Sequence, residues 1–120
     1  MDLTPEIWTK TLEVNLTGSF LCSHAVAGHM IERDRGGRIT FITSLGENVI
    51  NPNQVDYGAS KGGLPMVMVG LATALGKHGI TCNAVAPGMI LTNMTASCWT
   101  QEVPAQQIHE RVPVGRLGTP

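Results

Sequence analysis

The sequence predicts an α/β fold in which long helices alternate with parallel strands. Two short apolar runs, residues 38–43 and 80–85, have the composition of buried strands. A long segment with apolar residues at helical spacing precedes each run, and a helix between two strands of one sheet makes those strands parallel. The chain has 120 residues, so we expect one domain at most.

The first helix is predicted to begin after Thr4 and to continue to about Glu32. Thr4 can cap the free backbone amides of the first turn, and Pro5 suits the first helical position because its nitrogen has no hydrogen to leave unpaired. The helix should end before the glycine pair at 36–37. The apolar residues that recur at helical spacing are Ile7, Leu12, Leu16, Phe20 and Leu21.

The second helix is predicted to hold Tyr57 and Lys61 in its first turns and to continue to about Leu75. Gly79 should end the turn beyond it, since glycine readily adopts the left-handed conformation found at helix ends. Pro65 lies inside this helix, where it removes one backbone hydrogen bond and crowds the carbonyl of Lys61. A kink is therefore expected.

Two other stretches are predicted to be irregular. Residues 46–54 read as a polar loop between the first strand and the second helix. Residues 91–113 are expected to lack regular structure except for a short helix after Pro104.

A proton-transfer site is predicted around Tyr57, the only tyrosine of the chain. Tyr57 and Lys61 stand at positions i and i+4 of a helix, so the ammonium can lie beside the phenol and stabilise its ionised form. Ser44 ends an apolar strand, and ligands of open α/β sheets bind at the carboxyl ends of strands. Its hydroxyl can hold a substrate oxygen against the tyrosine. For the Tyr-Lys pair alone, the alternative is a solvent-exposed helix face.

Several short motifs share one order along the chain: Val14-Asn15-Leu16-Thr17-Gly18, Ile42-Thr43-Ser44, Tyr57-Gly58-Ala59-Ser60-Lys61, Asn83-Ala84-Val85-Ala86-Pro87-Gly88 and Thr92. In this order they resemble the short-chain dehydrogenase/reductase family over nearly the whole chain. The resemblance implies a partial Rossmann-like fold, a doubly wound parallel sheet in an incomplete three-layer α/β/α arrangement. It places residues 1–120 in one partial domain, with a lid at about 91–113.

The same resemblance implies an NAD- or NADP-dependent oxidoreductase that interconverts a secondary alcohol and a carbonyl. Asn15, Ser44, Tyr57 and Lys61 would be its catalytic residues. In the family the tyrosine is the acid/base, and the serine orients the substrate oxygen. The lysine binds the nicotinamide ribose, and the asparagine, at a helix kink, holds a water that relays protons towards the lysine.

The segment after the second strand resembles the part of the family fold that lies under the nicotinamide. Pro87 and Gly88 would shape the turn, the Ile90 backbone would meet the carboxamide, and the Thr92 hydroxyl would bind the carboxamide or a phosphate. Together with the Tyr-Lys pair they would bind the cofactor. The alternative is that the Pro-Gly pair only marks a turn after a strand.

The chain contains no glycine-rich phosphate-binding turn and no strand before the first helix. We therefore expect an internal piece of a longer enzyme that is inactive by itself. The alternative is a non-catalytic truncated chain that only associates with full-length subunits. The small-molecule substrate stays open among sugars or polyols, 3-oxoacyl groups and steroids.

Composition bears on the partners and the compartment. The net charge of −1 provides no basic surface for nucleic acid, and no apolar run reaches the ~18 residues of a membrane helix. The three cysteines lack metal or disulfide spacing, which favours a reducing, cytoplasmic compartment. Cys22 and Cys82 fall in apolar elements, where we expect them to be buried. The four histidines suggest no metal site.

Self-association is predicted because only 14% of the residues are charged, against ~25% in typical soluble domains. The resemblance implies a homodimer or homotetramer that pairs through the two long helices. On the second helix, the small and apolar surface consists of Met66, Val67, Val69, Gly70, Ala72 and Thr73. The alternative is that these residues pack against the sheet.

Overall fold

The computed structural model describes residues 3–45, 54–96, 110 and 112–120. The chain divides into two compact units, Met1–Ala86 and Pro87–Pro120. Within the first, the predicted order of helices and strands is confirmed. Its elements are helix α1 (Pro5–Leu12), a π-helical turn (Glu13–Thr17), helix α2 (Gly18–Glu32), strand β1 (Gly37–Ile42), helix α3 (Val55–Leu75), a 3₁₀ turn (Gly76–His78) and strand β2 (Ile80–Val85).

The first predicted helix is a helical segment with a π-helical turn in its middle. Thr4 caps it as predicted, because its hydroxyl accepts a hydrogen bond from the backbone N–H of Ile7 at 3.3 Å. The π-helical turn contains Asn15. Such a turn has wider backbone hydrogen bonding than an α-helix and is one of the recognised causes of helix kinks.

The sheet is parallel, as predicted, and has two strands in the part that the structure describes. Gly37 pairs with Ile80 at one end, and Ile42 pairs with Val85 at the other. Paired residues share a face of the sheet. One face is buried at Phe41, Ile80 and Cys82, whereas Ile42 and Val85 on the opposite face are exposed. Packing on one face alone agrees with a partial, Rossmann-like three-layer fold.

The core lies between the buried face of the sheet and the helices, chiefly α3. Leu64 of α3 and Ile80 of β2 are each only 1% exposed. The partly buried Leu16, Val67 and Leu71 pack against them. The buried apolar residues of this core are Ala27, Phe41, Leu64, Leu75, Ile80 and Cys82.

Helix α3 holds Tyr57 and Lys61 in its first turns and ends where predicted. It stays helical through Pro65, so the proline does not end it, and the expected kink stays a prediction. Gly79 adopts a left-handed conformation with φ 68°, and its N–H donates to the carbonyl of Gly76 at 2.9 Å. The predicted termination beyond the helix is thereby confirmed.

The prediction for one of the cysteines is wrong. Cys82 is buried on β2, and this burial raises the pKa of its thiol. Cys22 is exposed. The face of α2 that packs inwards carries Ser23 and Ala27, and Cys22 lies one residue, about 100°, away from Ser23 around the helix.

Parts of three predictions fall outside the described residues. They are the polar loop, of which only Gln54 is described, the short helix after Pro104, and most of the lid at 91–113. The expectation of one partial domain over residues 1–120 stays a prediction. No described helix combines the length and the apolar character needed to cross a membrane.

Candidate active site

Tyr57 and Lys61 lie on one face of α3, one turn apart. The Lys61 ammonium is 5.9 Å from the centroid of the Tyr57 ring. Tyr57 is 36% exposed, so its side chain is accessible to a small molecule while it remains anchored on the helix. A cation this close to an aromatic ring is attracted by the ring electrons, which helps to keep the two side chains together.

Lys61 also connects α3 to the carboxyl end of β1. Its Nζ donates a hydrogen bond to the backbone carbonyl of Ile42, the last residue of that strand, at 3.0 Å. An ammonium has three N–H donors, so this bond leaves capacity for two others. The predicted pair therefore lies at the edge of the sheet where open α/β folds bind their ligands.

Ser44 lies at this same edge, two residues beyond Ile42, and is half-buried. The backbone leading to it is held in place by Thr43, whose N–H and hydroxyl both donate to the carbonyl of Val85, at 2.9 and 3.3 Å. Thr43 is itself buried. The end of β1 is thus tied to the end of β2 directly before the predicted serine.

Asn15 reaches α3 through its side chain. Its Nδ2 donates to the hydroxyl of Ser60 at 3.0 Å, and that hydroxyl donates in turn to the backbone carbonyl of Tyr57 at 2.8 Å. The backbone carbonyl of Asn15 accepts from the Ser19 hydroxyl at 2.7 Å. The water that Asn15 is predicted to hold stays a prediction.

A second side-chain hydrogen bond joins α1 to α3. The Thr11 hydroxyl donates to Oδ2 of Asp56 at 2.6 Å. This bond lowers the pKa of Asp56 below its usual value, because the donated hydrogen stabilises the carboxylate. Thr11 and Asp56 had no predicted role, and Ser60 was named only as part of the motif that contains Tyr57 and Lys61. Polar residues one turn apart on both helices, at 11 and 15 and at 56 and 60, were the available signal.

The predicted nicotinamide segment lies in the second unit. Ile90 pairs with Gly118 in a parallel bridge in which the neighbouring Met89 and Leu91 make the hydrogen bonds. The Ile90 carbonyl accepts from the hydroxyl of Thr95 at 2.6 Å.

Thr92 caps the turn that follows in this unit. Its hydroxyl lies 3.0 Å from that of Thr95 and accepts from the Thr95 N–H at 3.3 Å. Pro87 is half-buried and Gly88 is exposed. The structure thus gives Thr92 a local capping role, and its predicted contact with a cofactor stays a prediction.

Within the described ranges, no group of three or more His, Cys, Asp or Glu side chains is arranged to hold a metal ion. The chemistry available at the site is that of a phenol, an ammonium, a hydroxyl and an amide. These groups can bind and orient an oxygen-bearing small molecule and exchange a proton with it.

Comparison with known proteins decides the family. A family model described as enoyl-(acyl carrier protein) reductase matches residues 1–120. The chain belongs to the short-chain dehydrogenase/reductase family. The resemblance carried by the ordered motifs is therefore confirmed over the whole sequence.

Two relatives illustrate the range of this short-chain dehydrogenase/reductase family. L-rhamnose 1-dehydrogenase (NAD(P)(+)) of Sphingomonas sp. is 35% identical over 120 residues, which are 100% of this chain and 47% of the relative. The 3-oxoacyl-(acyl-carrier-protein) reductase FabG of Aggregatibacter actinomycetemcomitans is 40% identical over 118 residues, 98% of this chain and 47% of the relative.

A solved structure matches to the same extent. The gluconate 5-dehydrogenase of Burkholderia cenocepacia, crystallised with NADP and tartrate, superposes with a TM-score of 0.89 at 31% identity, covering 98% of this chain and 46% of that one. The chain spans about half the length of these relatives.

Proposed function

We propose that the chain supplies the catalytic half of an NAD(P)-dependent oxidoreductase that interconverts a secondary alcohol and a carbonyl. One observation carries the proposal: Tyr57 and Lys61 share a face of α3, and Lys61 binds the last carbonyl of β1. An accessible phenol and a cation at the carboxyl end of a parallel strand suit proton transfer to a bound oxygen.

Each predicted residue has a role that its position supports. In the oxidation direction, Tyr57 accepts the hydroxyl proton of the alcohol, and it returns a proton to the oxygen in the reduction direction. Lys61 stabilises the phenolate by its positive charge. Ser44, beyond the end of β1, holds the reacting oxygen by a hydrogen bond. Asn15 links the π-helical turn to Ser60 of α3 and holds a proton-relaying water.

The described side chains fit the nicotinamide end of a cofactor. The Lys61 ammonium has donors to spare for ribose hydroxyls, and the Tyr57 phenol can bond to the same sugar. Pro87, Gly88, Ile90 and Thr92 are proposed to bind the nicotinamide. A bound oxidised nicotinamide would supply the acceptor for the hydride that leaves the carbinol carbon.

The choice between NAD and NADP rests on the relatives, which support both. The rhamnose dehydrogenase is described with NAD(P)(+), and the gluconate dehydrogenase binds NADP. The relatives include enzymes named for a sugar, for a 3-oxoacyl group and for a steroid, so the substrate stays open among all three predicted classes.

Turnover by the complete protein that contains this chain tests the proposed function. The purified protein is supplied with NAD⁺ or NADP⁺ and with a secondary alcohol from each class, and the formation of the reduced nicotinamide is followed by absorbance. We expect oxidation of one class at a rate proportional to enzyme concentration. Absence of turnover in both directions with every class and either cofactor would instead favour the non-catalytic alternative.

We also propose that the complete protein self-associates through α3. Met66 and Val69 are 69% and 48% exposed on this helix although both are apolar. Val67 and Ala72, which the sequence placed on the same surface, instead pack against the core. The exposed surface is therefore smaller than predicted, and Met66 is its most exposed apolar side chain.

A charge at this position should disrupt the assembly. We expect Met66→Lys to convert the dimer or tetramer into monomers, because a lysine ammonium would be buried without a partner at the interface. Light scattering at micromolar concentration measures the mass. The matched control is Val114→Lys, which charges an apolar residue that is 74% exposed in the second unit. A monomeric parent protein, or an unchanged assembly in Met66→Lys, contradicts the proposal.

A further inference from the structure

The contact between the first helical segment and α3 has a regular polar pattern. Thr11 bonds to Asp56, and Asn15 bonds to Ser60, and in both pairs the partners are 45 residues apart. The Asn15–Ser60 bond lies one turn beyond the Thr11–Asp56 bond on both helical segments. Four residues of helix advance by about 6 Å, so the two bonds form successive connections between the same pair of helices.

On α3, these two bonds lie directly before the two proposed catalytic residues. Asp56 directly precedes Tyr57, and Ser60 directly precedes Lys61. The Ser60 hydroxyl also donates to the Tyr57 carbonyl, so it joins the backbone of the tyrosine to the side chain of Asn15. The helix turn that carries both proposed catalytic groups is therefore held in place at the residue before Tyr57 and at the residue before Lys61.

Burial makes the second bond sensitive to substitution. Ser60 is 0% exposed, and its hydroxyl both accepts and donates. A buried polar group that loses its partner has no water to replace it. The helices also approach closely beside this bond, since a Cβ atom at Gly63 would lie 2.9 Å from a methyl group of Leu16. Little space is left for α3 to shift without breaking these contacts.

We propose that Thr11, Asp56 and Ser60 are positioning residues, forming with Asn15 a polar clamp that sets the orientation of Tyr57 and Lys61. The clamp comprises the Thr11–Asp56 and Asn15–Ser60 hydrogen bonds. Its role rests on the proposed function, because it acts through the tyrosine and the lysine. Catalysis depends steeply on such orientation, and a displacement of about 1 Å can cost about 100-fold in rate.

The test uses two substitutions in the complete protein that remove one bond each while nearly preserving shape. Thr11→Val and Ser60→Ala should each lower kcat about tenfold, with KM for substrate and cofactor changed by less than about threefold. Thr11→Ser keeps the donating hydroxyl and should restore kcat to within about twofold of the parent. Thr11 is only half-buried, so its variants are expected to fold.

Ser23→Ala is the matched control. Ser23 is also a buried serine, but its hydroxyl bonds within its own helix, to the carbonyl of Ser19 at 2.7 Å. The substitution Ser23→Ala should therefore leave kcat unchanged. Unchanged kcat in both Thr11→Val and Ser60→Ala overturns the clamp, as does an equal loss in Ser23→Ala or in Thr11→Ser.

The outcome for Tyr57→Phe separates the two proposals. If that variant is inactive while the clamp variants behave like the parent, the clamp alone is wrong. If Tyr57→Phe retains turnover, the proposed function is wrong, whatever the clamp variants do.

Discussion

Replacing Tyr57 by phenylalanine in the complete protein is expected to lower kcat by about 10²–10⁴-fold, the range of a lost general acid or base. The substitution removes the phenol oxygen and keeps the ring. The contact between that ring and the Lys61 ammonium, 5.9 Å from its centroid, can therefore persist. Cofactor affinity should fall by less than about tenfold, since only one hydrogen bond to the ribose is lost and Lys61 keeps its own.

Steady-state turnover and a fluorescence titration with NADH and NADPH measure the two quantities separately. Lys61→Ala provides the contrast, because the lysine is proposed both to bind the cofactor and to stabilise the phenolate. It should lower the rate and weaken cofactor binding together. Turnover of Tyr57→Phe within a few-fold of the parent would remove the tyrosine from the mechanism.

Replacing Leu64 by alanine should lower the free energy of unfolding by about 3 kcal/mol, within the range for large-to-small substitutions in protein cores. Leu64 is 1% exposed and belongs to the core cluster that joins α3 to the sheet. The substitution removes apolar contacts and leaves a cavity that a close-packed core closes only in part. Denaturant unfolding of the complete protein measures the change.

Leu91→Ala is the control with the same chemical change at a more exposed position. Leu91 is 40% exposed and lies in the second unit. Its loss should cost less than about 1 kcal/mol, as for surface substitutions in general. Equal effects of the two substitutions would mean that Leu64 does not pack in the core as described.

Local features of the chain could be predicted from the sequence because they depend on residues close together in it. The cap at Thr4, the left-handed Gly79 and the strand at 80–85 follow from propensities of single residues and short periodic patterns. The shared face of Tyr57 and Lys61 is equally local, since it needs only a helix and a spacing of four.

The burial of individual residues was harder to predict from the sequence. Cys22 was placed wrongly, and the packing of Val67 and Ala72 against the core could not be distinguished from an exposed surface, because α2 and α3 are apolar on more than one face. When apolar residues surround a helix, their spacing no longer indicates which side meets the sheet. Packing decides that, and packing depends on every neighbouring element.

The sequence by itself determined the family, the α/β order of elements and the shared helix face of Tyr57 and Lys61, because ordered motifs and local periodicity carry that information. Only the tertiary structure decided that Lys61 binds the carbonyl of Ile42 and that Asn15 binds Ser60. It also revealed the bond between Thr11 and Asp56. These contacts join residues 19 or 45 positions apart. They exist only where helix packing brings a donor and an acceptor within hydrogen-bond distance, which no local pattern specifies.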